Sequence, residues 1–175
     1  MLRPLAPPDA AELMRFHSDN ATHLQEWMPA PSPRAHEVSY WKERILQAQE
    51  LQRLHRAVRF GIFLREQPKR LIGQANLNDV VRGSAHYCTL GYMLAKEAEG
   101  KGLMTEALRE VLRFAFDELR LHRVLACYIP RNERSGRVLA GLGFEREGFA
   151  RDYLLINGKW EDHILTGIIN PNWQP

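Results

Sequence analysis

Cysteine is scarce in this 175-residue chain, with two residues, Cys88 and Cys127, and lysine is scarcer than its overall charge would suggest. Both cysteines lie in apolar, strand-like runs, so the reading is two reduced thiols within the core rather than a disulfide or a metal pair. The seven histidines show no spacing with cysteine of the kind that builds a zinc site, so no metal is expected. Long apolar runs are also missing. The longest candidate, Val124 to Pro130, has seven residues where a membrane helix needs roughly 18. The start, Met1-Leu2-Arg3-Pro4-Leu5-Ala6-Pro7-Pro8-Asp9, has no apolar secretory core, and a cytoplasmic protein is expected. Only five lysines accompany 19 arginines, for a net charge of +3. Arginine suits carboxylate and phosphate recognition. The excess is too small to require direct contact with nucleic acid; it fits an anionic ligand, a ribosomal partner or a solvated surface equally well.

What remains is ordinary globular composition, 45% apolar and 26% charged. The length favours a single domain over 1–175 whose core needs no covalent staple. Pro29-Ala30-Pro31-Ser32-Pro33 is the one clear breaker cluster and separates two helices. The first begins near Pro8 and Asp9 and carries Ala11, Leu13, Met14 and Phe16. The second, Ala35 to Arg56, places Val38, Trp41, Ile45, Ala48 and Leu51 at helical spacing. Strands follow at Val58–Leu64, Leu71–Leu77 and His86–Leu94, with a polar loop from Asn78 to Ser84. Met1 stands very close to Pro4, so either the strand before the first helix is short or the start codon has been set late.

The period then turns helical from Leu103 to Leu119. Val124 to Ile129 reads as a strand buried on both sides, and Arg131 to Leu142 as a short helix stopped by Gly143. Phe144–Ile156 and Trp160–Ile169 form a hairpin around Asn157-Gly158. The expected fold is α/β, a mixed and mostly antiparallel sheet with a central β-α-β unit and helices on its faces.

The chemistry concentrates where a strand meets Glu99-Gly100-Lys101-Gly102 and opens a helix. Glycine allows close backbone approach, and a helix N-terminus presents unpaired N–H groups and a positive dipole end, which together suit a pyrophosphate. The nucleotide P-loop pattern is not met, because Gly100 to Thr105 lacks its spacing, and a dinucleotide turn would need glycine where Thr105 stands. From the turn alone, acetyl-CoA binding and a ligand-free helix cap remain open in equal measure.

Further residues extend the pattern: Asn78 to Ser84, Leu90-Gly91-Tyr92, Gly100 to Met104 with Glu106-Ala107-Leu108, Asn132 with Arg134-Ser135, Leu142 to Glu145 with Glu147-Gly148, and Asp152 to Ile156 with Gly158, Trp160, Asp162-His163 and Leu165-Thr166. On these blocks, from about Phe60 to Trp173, the chain resembles the Gcn5-related N-acetyltransferase (GNAT) superfamily, and within it the RimJ-type ribosomal-protein-alanine N-acetyltransferases. The resemblance implies the acetyltransferase fold, acetyl-CoA as co-substrate, no metal, and transfer to the free amine of a protein N-terminus, a ribosomal protein's alanine above all. It implies that backbone N–H groups of Gly100, Lys101, Gly102, Leu103, Met104 and Thr105 hold the pyrophosphate. Backbone groups of Tyr92, Met93 and Leu94 would pair with the pantetheine arm, and Asn132 would bond that arm further along. Ser135 would protonate the departing thiolate, and a strand N–H of Met93 or Leu94 would meet the oxyanion.

Two departures from the family pattern stand out. Glu99 replaces a glutamine or arginine and puts a negative charge beside two phosphates unless its side chain turns to solvent. Ala140 occupies the position of the tyrosine acid that many members carry, which leaves Ser135 as the matching acid. Asp152 is the candidate base on the strand expected to line the acceptor groove, with strand capping or an Arg151 pair equally compatible. Asn132 and Ser135 also suit simple capping of the short helix. His86 and His163 read as structural, Trp27 and Trp41 as core or groove wall. Two rival functions share the fold: an N-acetyltransferase for a small amine, and a non-catalytic ribosome-assembly factor. A monomer and a homodimer fit the sequence equally.

Overall fold

The computed structural model describes residues 1–174. A seven-stranded sheet runs in the order β1-β2-β3-β4-β5-β7-β6. Its strands are β1 (Leu2–Pro4), β2 (Val58–Phe63), β3 (Leu71–Val81), β4 (Tyr87–Leu94), β5 (Arg123–Tyr128), β6 (Glu145–Ile156) and β7 (Lys159–Ile169). Only β4 and β5 pair in parallel; every other neighbour is antiparallel. This is the expected mixed sheet with its β-α-β unit. The short β1 was anticipated only as one of two alternatives, and it pairs with β2 through Leu2 and Ile62.

Strand alternation divides the helices between two faces. Phe60 points to the face of α4 (Leu103–Arg113), where its ring meets Phe114 edge-on at 5.3 Å. That helix buries Met104, Ala107, Leu108, Val111 and Leu112, the apolar stripe read from the sequence. Its last turn widens into a π turn over Phe114–Glu118, closed by Leu119 N–H donating to Phe114 O at 3.0 Å. Arg82 donates to the Leu119 carbonyl at 2.5 Å, satisfying the end of this helix. Arg82 is thus a helix-end anchor.

The opposite face carries α1 (Ala10–Asp19), α2 (Ala21–Leu24) and α3 (Val38–Arg53). The expected first helix is split at Asn20, and the second starts at Val38 rather than Ala35 because 34–36 are turned by the preceding prolines. β3 also runs on to Val81, through positions expected to be loop, by way of a bulge in which Asp79 adopts φ 51°. His17 of α1 is stacked on Trp41 of α3, ring centroids 4.3 Å apart, and contacts Gln74 of β3 at 3.0 Å. These contacts clamp the helical layer to the sheet. α5 (Glu133–Gly141) follows β5, and the β6–β7 hairpin turns at Asn157 (φ 44°) and Gly158 (φ 81°), both left-handed as a type I′ turn requires. Both cysteines are free. No helix among the described residues is long and apolar enough to cross a membrane.

Two outcomes test this packing. Leu108, fully buried beneath the sheet, should cost about 2–5 kcal/mol of unfolding free energy when replaced by alanine, measured by urea denaturation. Burial holds His17 down at about 4, against 6.5 unfolded. The unfolded chain therefore binds the extra proton between those values, so stability falls as pH drops from 6.5 to 4 and this loss ends below 4. Denaturation midpoints across that window should show a shallower acid loss in His17→Gln.

Candidate active site

The site begins where the β4–β5 ladder ends. The parallel pairing stops at Thr89 opposite Leu125, so the rest of β4, Leu90 to Leu94, keeps β3 on one side and has no ladder partner on the other. Ala95 N–H donates to Ile72 O at 2.7 Å. Hydrogen-bonded residues alternate along an antiparallel pair, so Met93 and Gly91 also turn their backbone groups to β3. Tyr92 and Leu94 turn theirs into the cleft. Of the three residues expected to pair with an extended arm there, Tyr92 and Leu94 are free to do so, and Met93 is committed to the sheet. Of the two residues expected to offer a strand N–H to an oxyanion, the same alternation leaves that of Leu94 open and turns that of Met93 to β3.

The Tyr92 side chain projects to the α5 side. Its hydroxyl lies 2.7 Å from Ser135 Oγ and 3.3 Å from Ser135 O. Desolvation pushes the phenol up to about 12, with the Ser135 hydrogen bond opposing and Tyr128 adding to the rise. The phenol is therefore protonated at neutral pH and can donate to Ser135. Sequence reasoning placed the Tyr92 backbone in the site but missed this hydroxyl; Leu90-Gly91-Tyr92 was the available signal. Gly136, next to Ser135, lies against Tyr128, where a Cβ would come within 2.9 Å of the ring. Glycine thus lets α5 approach β5 closely. Asn132 caps α5, its Oδ1 accepting from Ser135 N–H at 3.1 Å. Its side chain fixes the turn that carries Ser135.

The glycine turn lies at the mouth of the cleft. Gly100 and Gly102 take φ of 72° and 74°, and a Cβ on either would meet nothing within 4 Å. Gly102 is the N-cap of α4 without a side-chain cap. Glu106 N–H is the first to be taken up within the helix, by Gly102 O at 3.0 Å, which leaves the N–H groups of Leu103, Met104 and Thr105 as unfilled donors. Met104 is buried, so only its backbone can serve. Lys101 is exposed and has no ion-pair partner among the described residues. This open, positively polarised turn beside a half-paired strand fits an anion carrying an extended chain.

Glu99 does not turn to solvent. Its carboxylate is ion-paired with Arg134 of α5 and with Lys96 at 3.3 Å, and lies 3.3 Å from the His23 ring of α2. Its charge is engaged by Arg134 and Lys96 rather than facing the turn. The pair with Arg134 also bridges the glycine turn and α5.

On the far side, Arg131 pairs with the buried Glu161 at 2.6 Å and lies over the Trp27 ring at 5.6 Å. Asn157 N–H donates to Met28 O at 3.2 Å, tying the hairpin tip to the helical layer. Arg131 holds the Glu161 carboxyl below the usual carboxylate range. Buried His163 bonds through Nδ1 to Glu161 O at 2.9 Å, the structural role expected of it. Asp152 sits exposed at a bulge on β6 with φ 45°, its N–H bonded to Asp162 Oδ1 at 2.9 Å. No contact among the described residues joins Asp152 to Tyr92 or Ser135.

Comparison with known proteins agrees with this geometry. The GNAT acetyltransferase domain matches residues 1–145. An Escherichia coli ribosomal protein uS5-alanine N-acetyltransferase is 42% identical over 167 residues, 95% of this chain and 86% of the relative. A Vibrio fischeri ribosomal-protein-S5-alanine acetyltransferase structure superposes with a TM-score of 0.94 at 39% identity, covering 99% of this chain and 94% of that one. Mycobacterium smegmatis RimJ, solved in complex with CoA-disulfide, gives 0.91 at 31% identity over 99% and 83% of the two chains.

Replacing Glu99 by Gln leaves Arg134, Lys96 and His23 without their acid and raises the positive potential at the turn. Calorimetry should show CoA binding about fivefold tighter at low salt, with the gain fading in high salt.

Proposed function

The chain belongs to the GNAT acetyltransferase family and is an acetyl-CoA-dependent acyltransferase; we propose that its acceptor is the free α-amine of an alanine at the start of a ribosomal protein. A cytoplasmic site of action goes with that substrate. The observation that carries the catalytic reading is the Tyr92–Ser135 hydrogen bond beside the unpaired half of β4.

Bound acetyl-CoA supplies an activated thioester. Backbone N–H groups from Gly100 to Thr105 hold its pyrophosphate, with the Lys101 charge nearby. The cleft-facing groups of Tyr92 and Leu94 pair with the pantetheine arm, and the Leu94 N–H meets oxyanion charge. Asn132 positions Ser135 through the α5 cap and keeps its amide N–H₂ for the arm. Ser135 Oγ gives its proton to the departing sulfur. Tyr92 holds that hydroxyl in place by donating to it, since burial keeps the phenol protonated well above neutral pH, and the proton that the base takes from the amine returns to Ser135 through solvent. An N-terminal amine has an ordinary pKa near 8, so about a tenth is uncharged at pH 7 and a modest base suffices. Asp152 is the proposed base. Its exposed carboxylate is free to attract a cationic amine at the groove's edge.

The test is thiol release from acetyl-CoA with an alanine-initiated peptide, its N-blocked copy and spermidine as acceptors. Release with the free-amine peptide alone is expected. Ser135→Ala should lower kcat by about 10²-fold or more with CoA binding intact. Tyr92→Phe should lower kcat by about tenfold with a smaller change in KM. Release with spermidine but not with peptide would assign a small-amine acceptor. A Ser135→Ala protein with wild-type turnover would remove the acid role.

A further inference from the structure

The face of β4 opposite Ser135 carries polar groups that the scheme above does not use. Arg59 of β2, Asn76 of β3 and Gly91 of β4 stand directly opposite one another in successive ladders and share one face of the sheet. That face lies under α3, whose Arg44 and Tyr40 are close enough to Arg59 to affect its charge. Arg59 Nε and Asn76 Oδ1 are both shielded from solvent, and neither has a hydrogen-bond partner among the described residues. A buried donor and a buried acceptor left open side by side each cost the free energy of desolvation, and a ligand that satisfies both recovers it.

The third member of the row supplies room. A Cβ built on Gly91 would find only Asn78 Nδ2, at 3.9 Å. Gly73 and Gly61 of the neighbouring strands are crowded instead, with a Cβ meeting atoms at 2.6–2.9 Å. Gly91 precedes Tyr92, and strand alternation sends the Tyr92 side chain to Ser135 while leaving the Gly91 face clear on the other side. A chain lying over Gly91 would therefore approach the cleft from the face opposite Ser135.

We propose that Arg59, Asn76 and Gly91 form an acceptor subsite that grips the backbone of an extended peptide one residue beyond the amine to be acetylated. In an extended strand the N–H and C=O of one residue point to the same side. Arg59 donates to that carbonyl, Asn76 Oδ1 accepts from that N–H, and the open Gly91 surface admits the chain. Arg44 adds a second positive charge near Arg59 and no carboxylate among the described residues pairs with Arg59, so the site favours electron-rich oxygen. The proposal rests on the peptide-acceptor reading above and deepens it.

The test compares wild type, Arg59→Gln, Asn76→Ala and Gly91→Val on an alanine-initiated tetrapeptide. It includes the analogue with an ester in place of the first amide, and a version with glutamate second. Calorimetric acetyl-CoA affinity and the thermal midpoint serve as controls. Arg59→Gln and Asn76→Ala should each raise peptide KM by about tenfold with kcat within about twofold. Gly91→Val should exclude the peptide while leaving acetyl-CoA affinity unchanged. The ester should raise KM in wild type, a readout that needs no variant to fold, and should add nothing in Asn76→Ala. An unchanged KM in Arg59→Gln with intact cofactor affinity would overturn the subsite while leaving the peptide reading standing. An ester without effect, joined to a glutamate preference that Arg59→Gln abolishes, would overturn backbone recognition in favour of an acidic side chain. Wild-type turnover of spermidine but not of peptide would overturn the acceptor reading itself, and the subsite with it.

Discussion

A ladder that stops short organises this molecule. β4 and β5 are paired only over Tyr87–Thr89, and from Leu90 onward β4 has one bonded edge and one open edge. An open edge inside a sheet is costly unless something completes it, because backbone donors and acceptors must be paired or solvated. Strand alternation then distributes roles without further instruction. Even-numbered positions of β4 face the cleft with their backbone, odd-numbered positions bond to β3, and side chains alternate between the α4–α5 face and the α1–α3 face. Tyr92 and Gly91, neighbours in sequence, thereby end on opposite sides of one strand.

The elements around the cleft hold its width. α4 begins at Gly102 with a left-handed cap and packs its apolar stripe under the sheet, so the glycine turn rests on a rigid base. α5 can lie close to β5 because Gly136 has no Cβ to strike Tyr128. Asn132 spends one carbonyl on the first turn of α5, which fixes the Ser135 hydroxyl relative to the helix. The site is thus built from secondary-structure ends and a few side-chain hydrogen bonds, with little dependence on long loops.

Much of this was legible in the sequence. Period and glycine placement located α4, the turn before it and the terminal hairpin, and the resemblance carried by Asn132, Ser135 and the glycine turn pointed to the fold and donor. What could not be read was orientation. Nothing in Leu90-Gly91-Tyr92 says which backbone groups the neighbouring strand consumes, so Met93 and Leu94 looked equivalent until the register separated them. Glu99 looked like a liability because its partners are distant in sequence: His23 and Arg134 lie on different helices. β3 was cut at Leu77 because Asn78 and Asp79 disfavour strands; a bulge accommodates them. The expected first helix broke at Asn20, whose Nδ2 donates back to Phe16 O, a local bond that competes with helix continuation.

The bond from Asn157 to Met28 joins two stretches far apart in the chain. With the Trp27–Arg131–Glu161 stack beside it, the hairpin tip and the N-terminal helical layer are fastened on the same side of the groove. The hairpin and the helical layer are thereby coupled on that side of the groove, so a movement of one carries the other with it.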